Sequence, residues 1–80
     1  MKKYRKKPVV IEAIQYNGKN AQEISNFMNC QYPAIEGKKV IIGNLEGNLI
    51  ADMNDWIIKD VKGEFYPVKN NIFLETYEEV

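Results

Sequence analysis

Histidine is absent from the chain and cysteine occurs once, as Cys30. Those two gaps exclude a Ser-His-Asp or Cys-His nucleophile, any His-ligated metal and an intramolecular disulfide. The five glycines never fall into the dinucleotide-binding or P-loop spacing, so no phosphate cradle can be read from them. Scattered Asp and Glu form no calcium-loop pattern, and a lone thiol makes no zinc site. No metal and no cofactor is therefore expected. Long apolar runs are missing as well: the run after the basic opening, Val9-Val10-Ile11, breaks at Glu12, too short for a signal peptide and far from the roughly 18 residues of a membrane span. A cytoplasmic protein away from the membrane is the expectation. A reducing compartment suits an unpaired Cys30, read as a small semi-buried hydrophobe.

What is present is enough to fold. Hydrophobic residues make up 45% and charged residues 28% of the 80 positions, which is ordinary globular usage and not that of a disordered chain. A chain of this length builds one core, hence one domain over 1–80 with a basic lead-in over 1–7. Eleven basic and eleven acidic residues cancel, yet Lys2, Lys3, Arg5, Lys6 and Lys7 all stand in the opening. The remainder is acidic and would repel a phosphate backbone, which argues against nucleic-acid binding by a broad face.

Pro8 to Tyr16 is rich in β-branched residues and closes on Asn17-Gly18, so it reads as a strand with two partly apolar faces, central in its sheet. Asn20 with Glu23 three residues later resembles a capping box, and Ile24, Phe27 and Met28 follow at helical spacing. One amphipathic helix with a core-facing stripe is expected over about 20–29. A connector with slight pairing near Ala34-Ile35 leads to a hairpin of Lys39–Gly43 and Asn48–Asp52, with Gly47 supplying a positive φ. A second hairpin pairs Trp56–Val61 with Glu64–Val68, and Pro67, which cannot donate to a ladder, means that its strand lies at an edge or ends there. Asn70 is expected to cap a short helical turn, after which Glu75 to Glu78 reads as extended. The order β-α-β-β-β-β, helical turn, β predicts an α+β fold: one amphipathic helix on a small twisted, mainly antiparallel sheet or half-barrel.

Two blocks carry a family resemblance. Lys6-Lys7-Pro8-Val9-Val10-Ile11-Glu12-Ala13-Ile14-Gln15-Tyr16 and Asp55-Trp56-Ile57-Ile58-Lys59, the latter followed by Gly63-Glu64-Phe65-Tyr66-Pro67-Val68, Phe73 and Tyr77, resemble a family of small bacteriophage and prophage proteins related to PGDYG-type domains. Where members often carry Pro-Gly-Asp before the aromatic, this chain has Met53-Asn54-Asp55. Asn tolerates the left-handed backbone, so Asn54 is expected to keep the turn. The tryptophan phrase is also faintly similar to small β-barrels of the PUA or ASCH kind, a likeness of fold only.

With catalytic chemistry so depleted, the chain is not expected to be an enzyme. Asp52, Asp55 and Asp60 gather around the tryptophan strand and read as solvated turn formers, while Trp56, Phe65 and Tyr66 read as cross-strand packing. Five tyrosines and one tryptophan are nonetheless a heavy aromatic load, with Tyr4, Tyr32 and Tyr66 expected at least partly exposed. The resemblance implies a phage- or prophage-encoded, non-catalytic accessory protein that binds another protein, such as a host factor, through such anchors. The alternative is a small-ligand or nucleotide module that sequesters a signalling molecule, stacking a base beside Trp56 and Tyr66 with Lys59 or Arg5 at the phosphate. A homodimer through the sheet edge away from Pro67 is a further expectation.

Overall fold

The computed structural model describes residues 1–5, 9–29, 34–44 and 47–80. Among the described residues six strands and two helices follow in the order β1 (Glu12–Gln15), α1 (Ala21–Phe27), β2 (Ala34–Glu36), β3 (Lys39–Asn44), β4 (Gly47–Ala51), β5 (Trp56–Lys59), β6 (Phe65–Val68) and α2 (Asn70–Thr76). The fold is α+β, with its strands in two antiparallel three-stranded sheets ordered β1-β5-β6 and β2-β3-β4. The expected single sheet or half-barrel is thus divided in two. The break falls between β4 and β5, where Asp52 to Asp55 turn the chain out of one sheet and into the other.

The core lies where the inner faces meet. Val40 stands opposite Ala51 in β3 and β4, Ile14 opposite Ile57 in β1 and β5. Val40, Ile42, Ala51, Ile57, Tyr16 and Ile24 of α1 are all buried. Phe27, Met28, Leu49 and Phe65 pack against them, so the stripe read from α1 does face the core. Phe27 meets Phe65 edge-on, with ring centroids 5.6 Å apart.

Both hairpins form where expected. Gly47 and Gly63 take φ values of +110° and +83°, which cost little only for glycine. Asn54 adopts φ +73° and so performs the left-handed turn read from its sequence. Pro67 sits in β6 at the edge of its sheet. It stands opposite Ile57, a position whose missing N–H β5 does not need: the Asp60 N–H bonds the Glu64 carbonyl, so by antiparallel alternation the bonded pairs are Ile58 with Tyr66 and Trp56 with Val68.

Four expectations are corrected. β1 begins at Glu12, not Pro8, and is an edge strand; β5 is central. Asn20 occupies the N-cap position of α1 but makes no cap bond. Its side chain instead accepts from the Asn17 N–H at 2.9 Å and donates to the Gln15 carbonyl at 2.7 Å, fastening the turn to β1. Asn70 lies inside α2, behind an N-cap at Lys69. Glu75 to Glu78 is not a strand: α2 continues through Thr76, and the chain after it is irregular. Cys30, Tyr32, Leu45 and Glu46 lie outside the described residues. No helix among the described residues is long and apolar enough to cross a membrane.

Candidate functional site

Side chains alternate across a strand, so Trp56 of β5 faces away from the core that Ile57 enters. On that outer face it meets α2. Phe73 lies flat against the indole, centroids 4.0 Å apart and planes 8° from parallel, and Tyr77 extends the stack with centroids 5.1 Å from Phe73. Phe73 and Tyr77 are four residues apart, the helical spacing that places side chains in one row. The indole Nε1 donates to Asn70 Oδ1 at 2.9 Å, and Gln15 Nε2 reaches the same oxygen at 3.3 Å. Asn70 therefore ties the first turn of α2 to β5 and β1 together.

Beside this stack opens a groove of about 530 Å³. Val9, Val10, Ile11 and Ala13 form one wall, while Trp56, Phe73, Leu74 and Tyr77 form the other. Val80, Glu78 and Glu79 complete the lining, and both glutamates are exposed. The result is a mostly apolar trough with two exposed carboxylates among its lining residues.

Of the described candidates read from the sequence, Trp56 lines this groove; Tyr66, Lys59, Arg5 and Tyr4 do not. Tyr66 is half-buried, and its hydroxyl donates to a Glu64 carboxylate oxygen at 2.7 Å. Lys59 is half-buried at the end of β5 opposite Glu12. Tyr4 is 90% exposed in the lead-in, with Arg5 exposed next to it. Nor do Trp56, Phe65 and Tyr66 pack as a cross-strand cluster, because Phe65 faces the core and Trp56 faces α2. The sequence reading missed Phe73, Leu74 and Tyr77. Their helical spacing was the available signal, hidden by the β-like character of the Thr76-Tyr77 pair.

The acidic trio is divided. Asp60 is a turn former, its Oδ1 accepting the Lys62 and Glu64 N–H groups at 2.9 Å each. Asp55 also holds a turn, with Oδ2 accepting the Asp52 N–H at 2.9 Å, but it is buried and not solvated. Lys69, at the N-cap of α2, bonds Asp55 at 3.0 Å and Asp52 at 2.9 Å. Lys39 stands 3.7 Å from the other Asp52 oxygen. The hydrogen bond from Lys69 holds the Asp52 carboxyl below its ordinary range, against the opposing pull of desolvation, and the charges of Lys69 and Lys39 act in the same direction. The hydrogen bonds to Asp52 and Asp55 in turn raise the Lys69 ammonium. This cluster joins the β4–β5 turn to the start of α2. Among the described residues no group of three or more Cys, Asp or Glu side chains is placed to hold a metal ion.

No family model matches the chain, and comparison with curated proteins and with solved structures gives no significant match.

Proposed function

We propose that the chain is a phage- or prophage-encoded accessory protein without catalytic activity, which binds another protein by taking an apolar, positively flanked segment into the groove beside Trp56. The observation that carries this reading is the groove itself: an apolar trough walled by stacked aromatics and bounded by Glu78 and Glu79. Aromatic walls supply large contact area at small entropic cost, the usual character of a protein-binding anchor. The two carboxylates favour a basic residue in the occupant and oppose a phosphate, which weighs against a nucleotide. The phage origin rests on the resemblance carried by two sequence blocks, Lys6 to Tyr16 and Asp55 to Val68 with Phe73 and Tyr77.

Trp56 is the sole tryptophan, so its fluorescence reports the groove directly. The test titrates the protein with two synthetic peptides, three leucines followed by two lysines and three leucines followed by two glutamates. The lysine peptide should shift the emission and the glutamate peptide should not; replacing Glu78 and Glu79 with lysine should reverse the preference. Equal responses to both peptides, or to neither, would sink the reading. So would a nucleotide that stabilises the protein in a thermal-shift panel, where saturation to 100 times the dissociation constant is worth roughly 2.7 kcal/mol.

A further inference from the structure

Among the described residues, strand β1 pairs on one side only, with β5. The Tyr16 N–H bonds the Asp55 carbonyl at 2.9 Å, and the register places Ile14 opposite Ile57 and Glu12 opposite Lys59. Bonded pairs alternate along an antiparallel ladder, so the backbone groups of Glu12 and Ile14 point to β5 and those of Ala13 and Gln15 point out of the sheet. At Gln15 the outward carbonyl is occupied by Asn20 Nδ2 at 2.7 Å. At Ala13 no described residue supplies a partner. Val9 and Val10 continue beside it, 48% and 77% exposed. Within β1 the open position is therefore Ala13, preceded by the exposed Val9 and Val10, and Gln15 is closed by Asn20. On the opposite side of the sheet, Pro67 has no N–H to offer a new strand.

We infer that Val9–Ile11 extend β1 and that this edge pairs antiparallel with the same edge of a second copy, about a two-fold axis at Ile11, to give one continuous six-stranded sheet. The geometry selects the register. Only odd-numbered positions present outward backbone groups, so odd must meet odd: Ile11 faces Ile11 of the second copy, and Val9 faces its Ala13. A slip of two residues toward the C-terminus would set Glu12 directly against its own counterpart and bring Val9 to Gln15, whose carbonyl Asn20 already holds. In the chosen register Glu12 stands opposite Val10, and the exposed valines of both copies leave water together. An unpaired edge bearing adjacent apolar residues is the feature that isologous strand pairing removes. The inference holds whatever the groove binds.

The test combines sedimentation with amide exchange on the whole chain, over concentrations from about 10 μM to about 1 mM, where mass action must show a dimer that strengthens with concentration. The mass should rise from 9.3 kDa to twice that value. In step with it, exchange of the Ala13 amide should slow about tenfold or more, while the Ile14 amide, bonded within one copy, is protected throughout. Ala13→Pro should stay folded and monomeric, because no described residue of its own copy bonds the Ala13 N–H. A species of 9.3 kDa at every concentration would overturn the inference. A dimer whose Ala13 amide remains fast, or a folded Ala13→Pro chain that dimerises like the parent, would overturn it equally.

Discussion

Replacing Trp56 with alanine tests whether α2 is held to the sheet by one aromatic contact. The helix is only seven residues long and has no buried residue of its own, too short to persist in water without docking. Its aromatic docking contact is the indole, stacked on Phe73 at 4.0 Å and bonded to Asn70 at 2.9 Å, beside the Lys69 ion pairs to Asp52 and Asp55. Trp56 is half-buried, so truncation returns roughly 100 Å² of aromatic contact to water, about 2.5 kcal/mol at ~25 cal/mol/Å². The lost stack adds about 0.5–1.5 kcal/mol and the lost hydrogen bond about 1 kcal/mol. Because α2 can detach while the core persists, the expected loss of global stability is about 3 kcal/mol, short of that full total. For a domain of this size it lowers Tm by roughly 12–24 °C. Trp56→Phe keeps the stack and should cost only about 1 kcal/mol. The assay is thermal and urea unfolding with amide exchange read across 70–77. Protection there should collapse in Trp56→Ala before the core strands open. A variant that melts within about 2 °C of the parent and keeps its α2 amides protected would refute the argument, since α2 would then owe its position to something other than the indole.

Ile57, one residue along and fully buried on the opposite face, should behave differently: Ile57→Ala should cost about 2–5 kcal/mol and accelerate exchange in both sheets, as hydrogen–deuterium measurements would show. Asn54, at φ +73°, should accept glycine with a change in urea-derived stability within about 0.5 kcal/mol, while Asn54→Val should lose about 1–2 kcal/mol to the left-handed backbone. The lowered Asp52 carboxyl contributes stability that is present above about pH 4, the ordinary carboxyl range, and is lost as pH falls through its own lower value. The stability gap between the parent and Lys69→Met should therefore shrink on acidification; a gap that stays constant across acid titration would mean Lys69 and Asp52 do not interact in solution. The raised Lys69 ammonium has the opposite sense, its contribution being lost only as pH rises through its own elevated value in strong alkali.

Much of the fold was written in local signals. The α1 stripe of Ile24, Phe27 and Met28, both hairpins, the Gly47 and Gly63 turns, the left-handed Asn54 and the edge position of Pro67 all follow from periodicity or from the steric character of one residue. Such features need no knowledge of distant parts of the chain. The division into two sheets was not legible in this way, because a turn at Asp52 to Asp55 reads alike whether the next strand continues the same sheet or begins another. The central position of β5 depended equally on pairings across more than forty residues, between Gln15 and Trp56. Asn20 and Asn70 looked like helix caps because local spacing is all that a capping pattern records. In the folded chain their amides are claimed by Gln15, Asn17 and Trp56, partners that tertiary contact brought within reach. The groove illustrates the same limit. Composition and order could single out Trp56, but only packing could decide that its companions are Phe73 and Tyr77 and not Tyr66 and Lys59, since a strand residue's face is fixed by register and a helix's docking face by what it meets.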